Sequence, residues 1–91
     1  MSVIVRLPGQ LRVLVGGVGE IPVEASTVRE AIGAVEVIHP GLAERVLDEN
    51  GSLRRFVNIF VADEDIRFLD GLDTVVAEGE IVSLVPAVAG G

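Results

Sequence analysis

Cysteine, lysine, tyrosine and tryptophan are all missing from this sequence of 91 residues. Without cysteine there are no disulfides, thiolate nucleophiles, side-chain persulfides, or Cys-ligated zinc or iron-sulfur centres. Without lysine no side-chain amine can serve as nucleophile, Schiff-base former or acceptor of an isopeptide bond. Histidine occurs once, as His39 beside Pro40, with no identifiable partner for a metal or a general-base role. Positive charge is scarce, since seven basic residues face fourteen acidic ones for a formal net charge of −7. Such a chain repels phosphate backbones, so nucleic acid is excluded and basic protein partners fit better. Long apolar runs are also lacking: none approaches the roughly 20 residues of a membrane helix. The opening Met1-Ser2-Val3-Ile4-Val5-Arg6 meets charge too early for a signal peptide, which places the chain in the cytoplasm with no membrane partner.

What remains is an aliphatic, globular composition: 49% of residues are hydrophobic and only three are aromatic, all phenylalanine. A chain of this length supports one domain and one modest core, without room for a deep enclosed pocket. Val3, Val5 and Leu7 alternate with Ile4 and Arg6 as a first strand ended by Pro8-Gly9. Leu11 to Val15 is apolar and runs into Gly16-Gly17-Val18-Gly19. That glycine stretch lacks the Gly-Lys-Ser/Thr ending of a phosphate loop and reads as a hairpin connection. Ile21 and Val23 alternate with Glu20, Pro22 and Glu24 as a second strand, and Pro22 assigns it to an edge. Thr27 and Glu30 form a capping-box pair, followed by Val28, Ala31, Ile32, Val35 and Ile38 on one helical face, so a helix is expected from about Val28 to Val37. His39-Pro40-Gly41 ends it. Leu42, Val46 and Leu47 suggest a short second helix closed by Asn50-Gly51.

The run Phe56 to Val61 is apolar on both faces of a strand, with Val57, Ile59 and Val61 on one side and Phe56, Asn58 and Phe60 on the other. One main helix can cover only one face of a sheet, so the second face is left as a binding patch or as ordinary exposed hydrophobes. Asp63-Glu64-Asp65 reads as a solvated turn matching no calcium loop. Turns at Gly71-Leu72-Asp73-Thr74 and Glu78-Gly79-Glu80 bracket a short apolar segment, taken as a short strand, before a last strand from Ile81 to Val85 whose Val82 and Leu84 face the core. This order predicts an α+β, β-grasp domain over residues 1–86, with a mixed sheet of four to five strands packed on one main helix. A right-handed crossover sets the first and last strands side by side and parallel. Residues 87–91, Ala87-Val88-Ala89-Gly90-Gly91, form an extended, flexible C-terminal tail.

Gly90 and Gly91 lack a Cβ, so they can lie extended in a channel too narrow for other residues and leave the terminal carboxyl carbon open. From Ala87 to Gly91 the reach is on the order of 16 Å, enough to thread a partner's buried site while the body docks outside. A C-terminal carboxylate, with a typical pKa of about 3.5, is a poor electrophile, so a partner must activate it, most simply as an acyl-adenylate made from ATP.

Leu72, Thr74, Glu78-Gly79-Glu80, Val82, Leu84 and the ending Pro86-Ala87-Val88-Ala89-Gly90-Gly91 resemble the ubiquitin-like sulfur carriers of molybdopterin, thiamin and cysteine biosynthesis. Arg55 to Val61 with Asp63 to Phe68 looks most like the carriers of the thiocarboxylate-dependent cysteine pathway of actinobacteria. The likeness is firm from Arg55 to Gly91 and loose over Leu11 to Gly19. It implies a β-grasp fold, adenylation of Gly91 by an enzyme of the ubiquitin-E1-like type, and conversion to a terminal thiocarboxylate. In the cysteine branch it further implies a pyridoxal-phosphate-dependent cysteine synthase, whose bound aminoacrylate takes the sulfur, and a zinc (JAMM-type) peptidase that releases cysteine from the carrier. The cofactors, ATP and pyridoxal phosphate, thus belong to partners, and this chain binds none. In the molybdenum branch the tail would enter a molybdopterin synthase large subunit, and other relatives feed secondary metabolites.

No cluster in the sequence has the makings of intrinsic catalysis, so the chain reads as a protein co-substrate with no catalytic and no metal-binding residues. Gly91 is the adenylate and thiocarboxylate site, Gly90 the spacer, and Ala87, Val88 and Ala89 line the partner's channel. Phe60 and Val85 are assigned to docking. Two readings of other classes stand beside this one: a covalent protein modifier attached through Gly91, and a plain interaction domain for which the tail is dispensable. Absence of lysine has two accounts as well, a GC-rich genome favouring arginine or protection of an activated terminus from nearby amines.

Overall fold

The structure is a computed structural model, described here over residues 1–86; the predicted tail, residues 87–91, lies outside the described residues. The strands are β1 (Ser2–Arg6), β2 (Glu20–Glu24), β3 (Val57–Val61), β4 (Glu64–Asp65) and β5 (Ile81–Pro86). Three helices accompany them: α1 (Gly9–Arg12), α2 (Val28–Ile38) and α3 (Leu42–Val46). The five-stranded sheet has the order β2-β1-β5-β3-β4, with β1 and β5 parallel at its centre and the other pairs antiparallel. The predicted mixed sheet and central parallel pair are therefore present, and Pro22 sits on edge strand β2, where its missing N–H removes no ladder bond from the interior.

Alternation decides which side of the sheet is dry. Val3, Val5, Ile21, Val23, Val57, Ile59, Val61, Val82 and Leu84 all point to one face and are buried. Against them packs α2 through Val28, Ala31, Ile32 and Val35. Thr27 caps this helix by accepting from the Glu30 N–H at 3.2 Å, while the Glu30 carboxylate accepts from the Ser26 N–H at 2.8 Å rather than from that of Thr27. Ile38, expected on the buried face, is 55% exposed, because the helix ends there and His39 has already left helical geometry.

Glu36 joins α2 to α3. Its carboxylate accepts from the N–H groups of Gly41 and Ala43, at 3.0 and 2.8 Å, satisfying donors that the start of α3 leaves without helical partners. These backbone bonds, that of Ala43 first, hold the Glu36 carboxyl below its ordinary value of 4.5. A carboxyl depressed in the folded state stabilises it above the unfolded value, and that contribution disappears as pH falls through the lower, folded value. The thermal midpoint of Glu36→Gln should accordingly lie below that of the wild type above about pH 5, with the gap closing as pH is lowered toward 3; a gap constant with pH would sink the assignment.

Two local expectations are corrected, and one stretch with no assigned element gains one. Leu11 to Val15 forms α1 and a 3-10 turn, since Leu11, Leu14 and Val15 share one helical face and cover the end of the core, with Val15 only 1% exposed. The excursion stops at Gly16, whose φ of +70° suits glycine. Asp63-Glu64-Asp65 is not wholly a turn: Ala62 and Asp63, at φ 53° and 68°, form a two-residue hairpin connection, and Glu64–Asp65 return as β4. The short strand predicted between the two late turns is instead a single bridge, Thr27 to Val75. In addition β3 begins at Val57, leaving Phe56 before the strand and 60% exposed.

The motif residues Leu72, Thr74, Glu78 and Glu80 turn out to be folding devices. Leu72 and Thr74 are buried, and the Thr74 hydroxyl donates to the Gly71 carbonyl at 2.7 Å while accepting from the Asp70 N–H at 3.1 Å. Glu78 accepts from the Ser2 N–H at 2.9 Å, and the Gly79 N–H donates to the Ser2 carbonyl at 2.7 Å, fixing the start of β5 beside the start of β1.

Candidate functional site

Among the described residues, no element covers the face of the sheet opposite α2. Across it runs a row set by register: Glu20 on β2, Arg6 on β1, Ser83 on β5, Phe60 on β3 and Asp65 on β4. A second row places Pro22, Ile4 and Ile81 side by side. Val85 lies opposite Asn58, on the same face and diagonal to Phe60. Phe60, Ile4 and Ile81 are half-buried and Val85 is 41% exposed, so a shallow apolar strip crosses the middle of the sheet. Arg6 and Glu20 border it as an exposed ion pair at 2.9 Å.

Phe60 and Val85 thus share the uncovered face. Ile4, Ile81 and Pro22 complete the strip but drew no attention in the sequence, although the outward positions of β1 and β2 were readable from their alternation. Phe56, just before β3, lines a groove with Val85 at the end of the strip, and His39 serves as the C-terminal cap of α2, its N–H donating to the Val35 carbonyl at 2.7 Å.

Geometry makes the strip continuous with the end of β5. Pro86, paired with Val57, is the last residue of the central strand β5, so whatever follows leaves from the middle of the sheet at the end of the open face. The strip therefore lies beside the point where the described chain ends. Arg67 stiffens this corner: its guanidinium donates to Asn58 Oδ1 at 2.8 Å and to the carbonyls of Val57 and Arg54 at 2.9 and 3.0 Å. Among the described residues no group of three or more His, Cys, Asp or Glu could hold a metal ion, and no helix is long and apolar enough to cross a membrane.

A five-stranded mixed sheet on one main helix, with a bare apolar face and a central last strand leading out, defines a ubiquitin-like β-grasp protein. The family model described as the ThiS family matches residues 5–91, and the chain belongs to this family of ubiquitin-like sulfur carriers. It is 43% identical over 93 residues to the sulfur carrier protein CysO of Mycobacterium tuberculosis, covering 100% of both chains. The crystal structure of the Amycolatopsis orientalis BexX/CysO complex contains a chain 42% identical, matched with a TM-score of 0.91 over 98% of this chain and 99% of that one. Small archaeal modifier protein 3 of Haloferax volcanii is 35% identical over 66 residues, 72% of this chain and 71% of the relative.

If the strip is the docking surface, a charge at its centre must weaken docking without touching the chemistry. Phe60→Asp is expected to raise the KM of the carrier for its activating enzyme by roughly 30-fold, the loss typical of one interface hot spot, with kcat little changed. Phe60→Ala, with a thermal midpoint measured beside it, separates docking from folding. An unchanged KM in both variants would remove Phe60 from the site.

Proposed function

We propose that Gly91 is the acyl site of this carrier and that its sulfur goes to cysteine. Membership of the ThiS family, together with full-length similarity to a CysO protein, is the observation that carries the reading. A terminal carboxylate oxygen attacks the α-phosphorus of ATP on the activating enzyme, releasing pyrophosphate and leaving an acyl-adenylate at Gly91. Hydrosulfide then adds to the acyl carbon and AMP departs, so the terminus becomes a thiocarboxylate with no change of oxidation state. Both steps belong to partner enzymes, for the described residues hold no acid-base pair suited to them. Docking through the strip around Phe60 and Val85 would present Ala87 to Gly90 to the partner's channel.

The onward partners follow from the cysteine branch: a pyridoxal-phosphate-dependent synthase that accepts the sulfur and a zinc peptidase that frees the product. Similarity to a CysO seated in a BexX complex supports a related reading in which a biosynthetic enzyme for another product accepts the sulfur. Similarity to an archaeal modifier protein supports attachment to other proteins through the same activated terminus. One experiment distinguishes them. After incubation with ATP, hydrosulfide and the activating enzyme, the intact mass should rise by the exchange of one oxygen for sulfur, and addition of the cysteine synthase with its aminoacrylate-forming substrate should replace that species by a cysteine adduct. Conjugates to lysines, with no thiocarboxylate, would establish the modifier instead.

A further inference from the structure

Around the exit of β5 the surface changes sign. A groove of about 190 Å³ opens there, walled by Pro8 and Leu11 of the α1 segment, Arg45 of α3, Phe56, Val85 and Pro86, and among the described residues no carboxylate lines it. Other depressions on the molecule do carry carboxylates: Glu64, Asp70 and Glu80 beside Phe68, Glu24 beside Pro22, Glu44, Asp48 and Glu49 beside Arg54, and Asp63 and Glu80 beside Phe60. Topology explains the contrast. The end of the sheet where β5 finishes also holds Arg12, Arg45, Arg54, Arg55 and Arg67, none of which makes an ion pair among the described residues. Arg12, Arg54 and Arg67 are held by backbone carbonyls, which orient a guanidinium but leave its charge standing. Arg45 and Arg55 are exposed and form no side-chain hydrogen bond within the described residues. The opposite end carries Glu24, Asp63, Glu64, Glu78 and Glu80, an acidic pole, whereas Glu44, Asp48 and Glu49 share a depression with Arg54 on the α3 side, so the positive charge at the root of the tail is local to the groove and its rim.

We infer that this groove is a second docking element, which takes an apolar side chain flanked by carboxylates from the mouth of the partner's tail-receiving channel. It deepens the carrier reading and rests on it: any enzyme that swallows residues beyond Pro86 must bring its channel rim against Pro8, Leu11, Arg45 and Phe56. An apolar plug in the groove satisfies Phe56, which is otherwise 60% exposed. Carboxylates on the rim would meet Arg45 and Arg55, which form no ion pair among the described residues. The acidic pole, held away from the partner, orients the approach so that the tail arrives first.

The test uses the full-length carrier and its activating enzyme, with initial rates of thiocarboxylate formation followed by intact mass at low and high salt. Arg45→Glu combined with Arg55→Glu should raise KM by about tenfold or more at low salt with kcat unchanged, and the gap should narrow at high ionic strength as rim charges are screened. Glu24→Arg, at the far pole, should stay within about twofold of wild type. A KM unmoved by the double reversal would overturn the inference, and so would a KM that falls, since that would mark the carrier's own terminal carboxylate as the occupant. Should the wild type take up no sulfur, the carrier reading itself fails, an outcome distinct from either.

Discussion

Removal of Gly91 is expected to abolish thiocarboxylate formation, with the intact mass unchanged after any incubation that modifies the wild type. The shortened chain still ends in glycine and still has a carboxylate, so loss of chemistry would be a matter of reach. One residue fewer draws the reacting carbon back by about 3.3 to 3.6 Å. Misplacement of a reacting atom by about 1 Å already costs on the order of a hundredfold in rate, and this displacement is several times larger. The folded body should not notice, because Gly91 has no side chain to contribute to the core and the buried cluster is built from residues 3–84. Equal thermal midpoints with no sulfur uptake by the shortened chain would place the function at the last residue. Uptake at the wild-type rate would show that the partner does not measure the tail, and the Gly91 assignment would fall.

Ile59→Ala is expected to lower the thermal midpoint by about 15 °C or more. Ile59 is fully buried at the middle of β3, opposite Leu84 on the central strand, so the space left by its lost methyl and methylene groups cannot be filled from solvent. Large-to-small changes of this kind cost about 2–5 kcal/mol, and in a domain this small each kcal/mol moves the midpoint by about 4–8 °C. A domain of this size holds only about 5–10 kcal/mol in total, so the variant would stand near the limit of folding. Ile59→Val removes one methylene and should give a far smaller shift. A midpoint lowered by only a few degrees in Ile59→Ala would mean that the core relaxes around the vacancy.

Much of this was written plainly in the chain. Alternation in Val3 to Leu7 and in Ile21 to Val23, the Thr27 cap and the helical stripe from Val28 to Val35 are local signals, and local physics honoured them. Burial of both Val82 and Leu84 likewise followed from period two. The misses share a cause: each depended on what lay across space. Leu11, Leu14 and Val15 have helical spacing, yet the segment is short, opens with Gly9 and was hidden by the glycines behind it; only packing over the end of the core makes it helical. Ala62 is an unusual residue for a left-handed position, so the turn was read over Asp63-Glu64-Asp65 and not over Ala62-Asp63. Ile38 has the right spacing but lies where the helix has outrun the sheet.

The site was legible in part. Phe60 and Val85 could be placed on one face because a single helix cannot cover two. That Arg45, on a separate helix, meets Phe56 and Pro86 could not be read from any window of sequence, since those residues are brought together only by the return of β5 along β1. The family motifs were recognisable for a different reason from the one they first suggest. Thr74 and Glu78 hold turns, and so mark the fold before they mark the chemistry.

The central position of β5 has a mechanical consequence. A partner that grips the terminus pulls along the axis of a strand bonded on both sides, to β1 in parallel and to β3 in antiparallel register. Force applied there loads both ladders in shear, so many bonds must yield together instead of peeling one after another as they would on an edge strand. A pull on the end of β5 would therefore be shared by both of its neighbours, so the centre of the sheet resists it where an edge strand would peel.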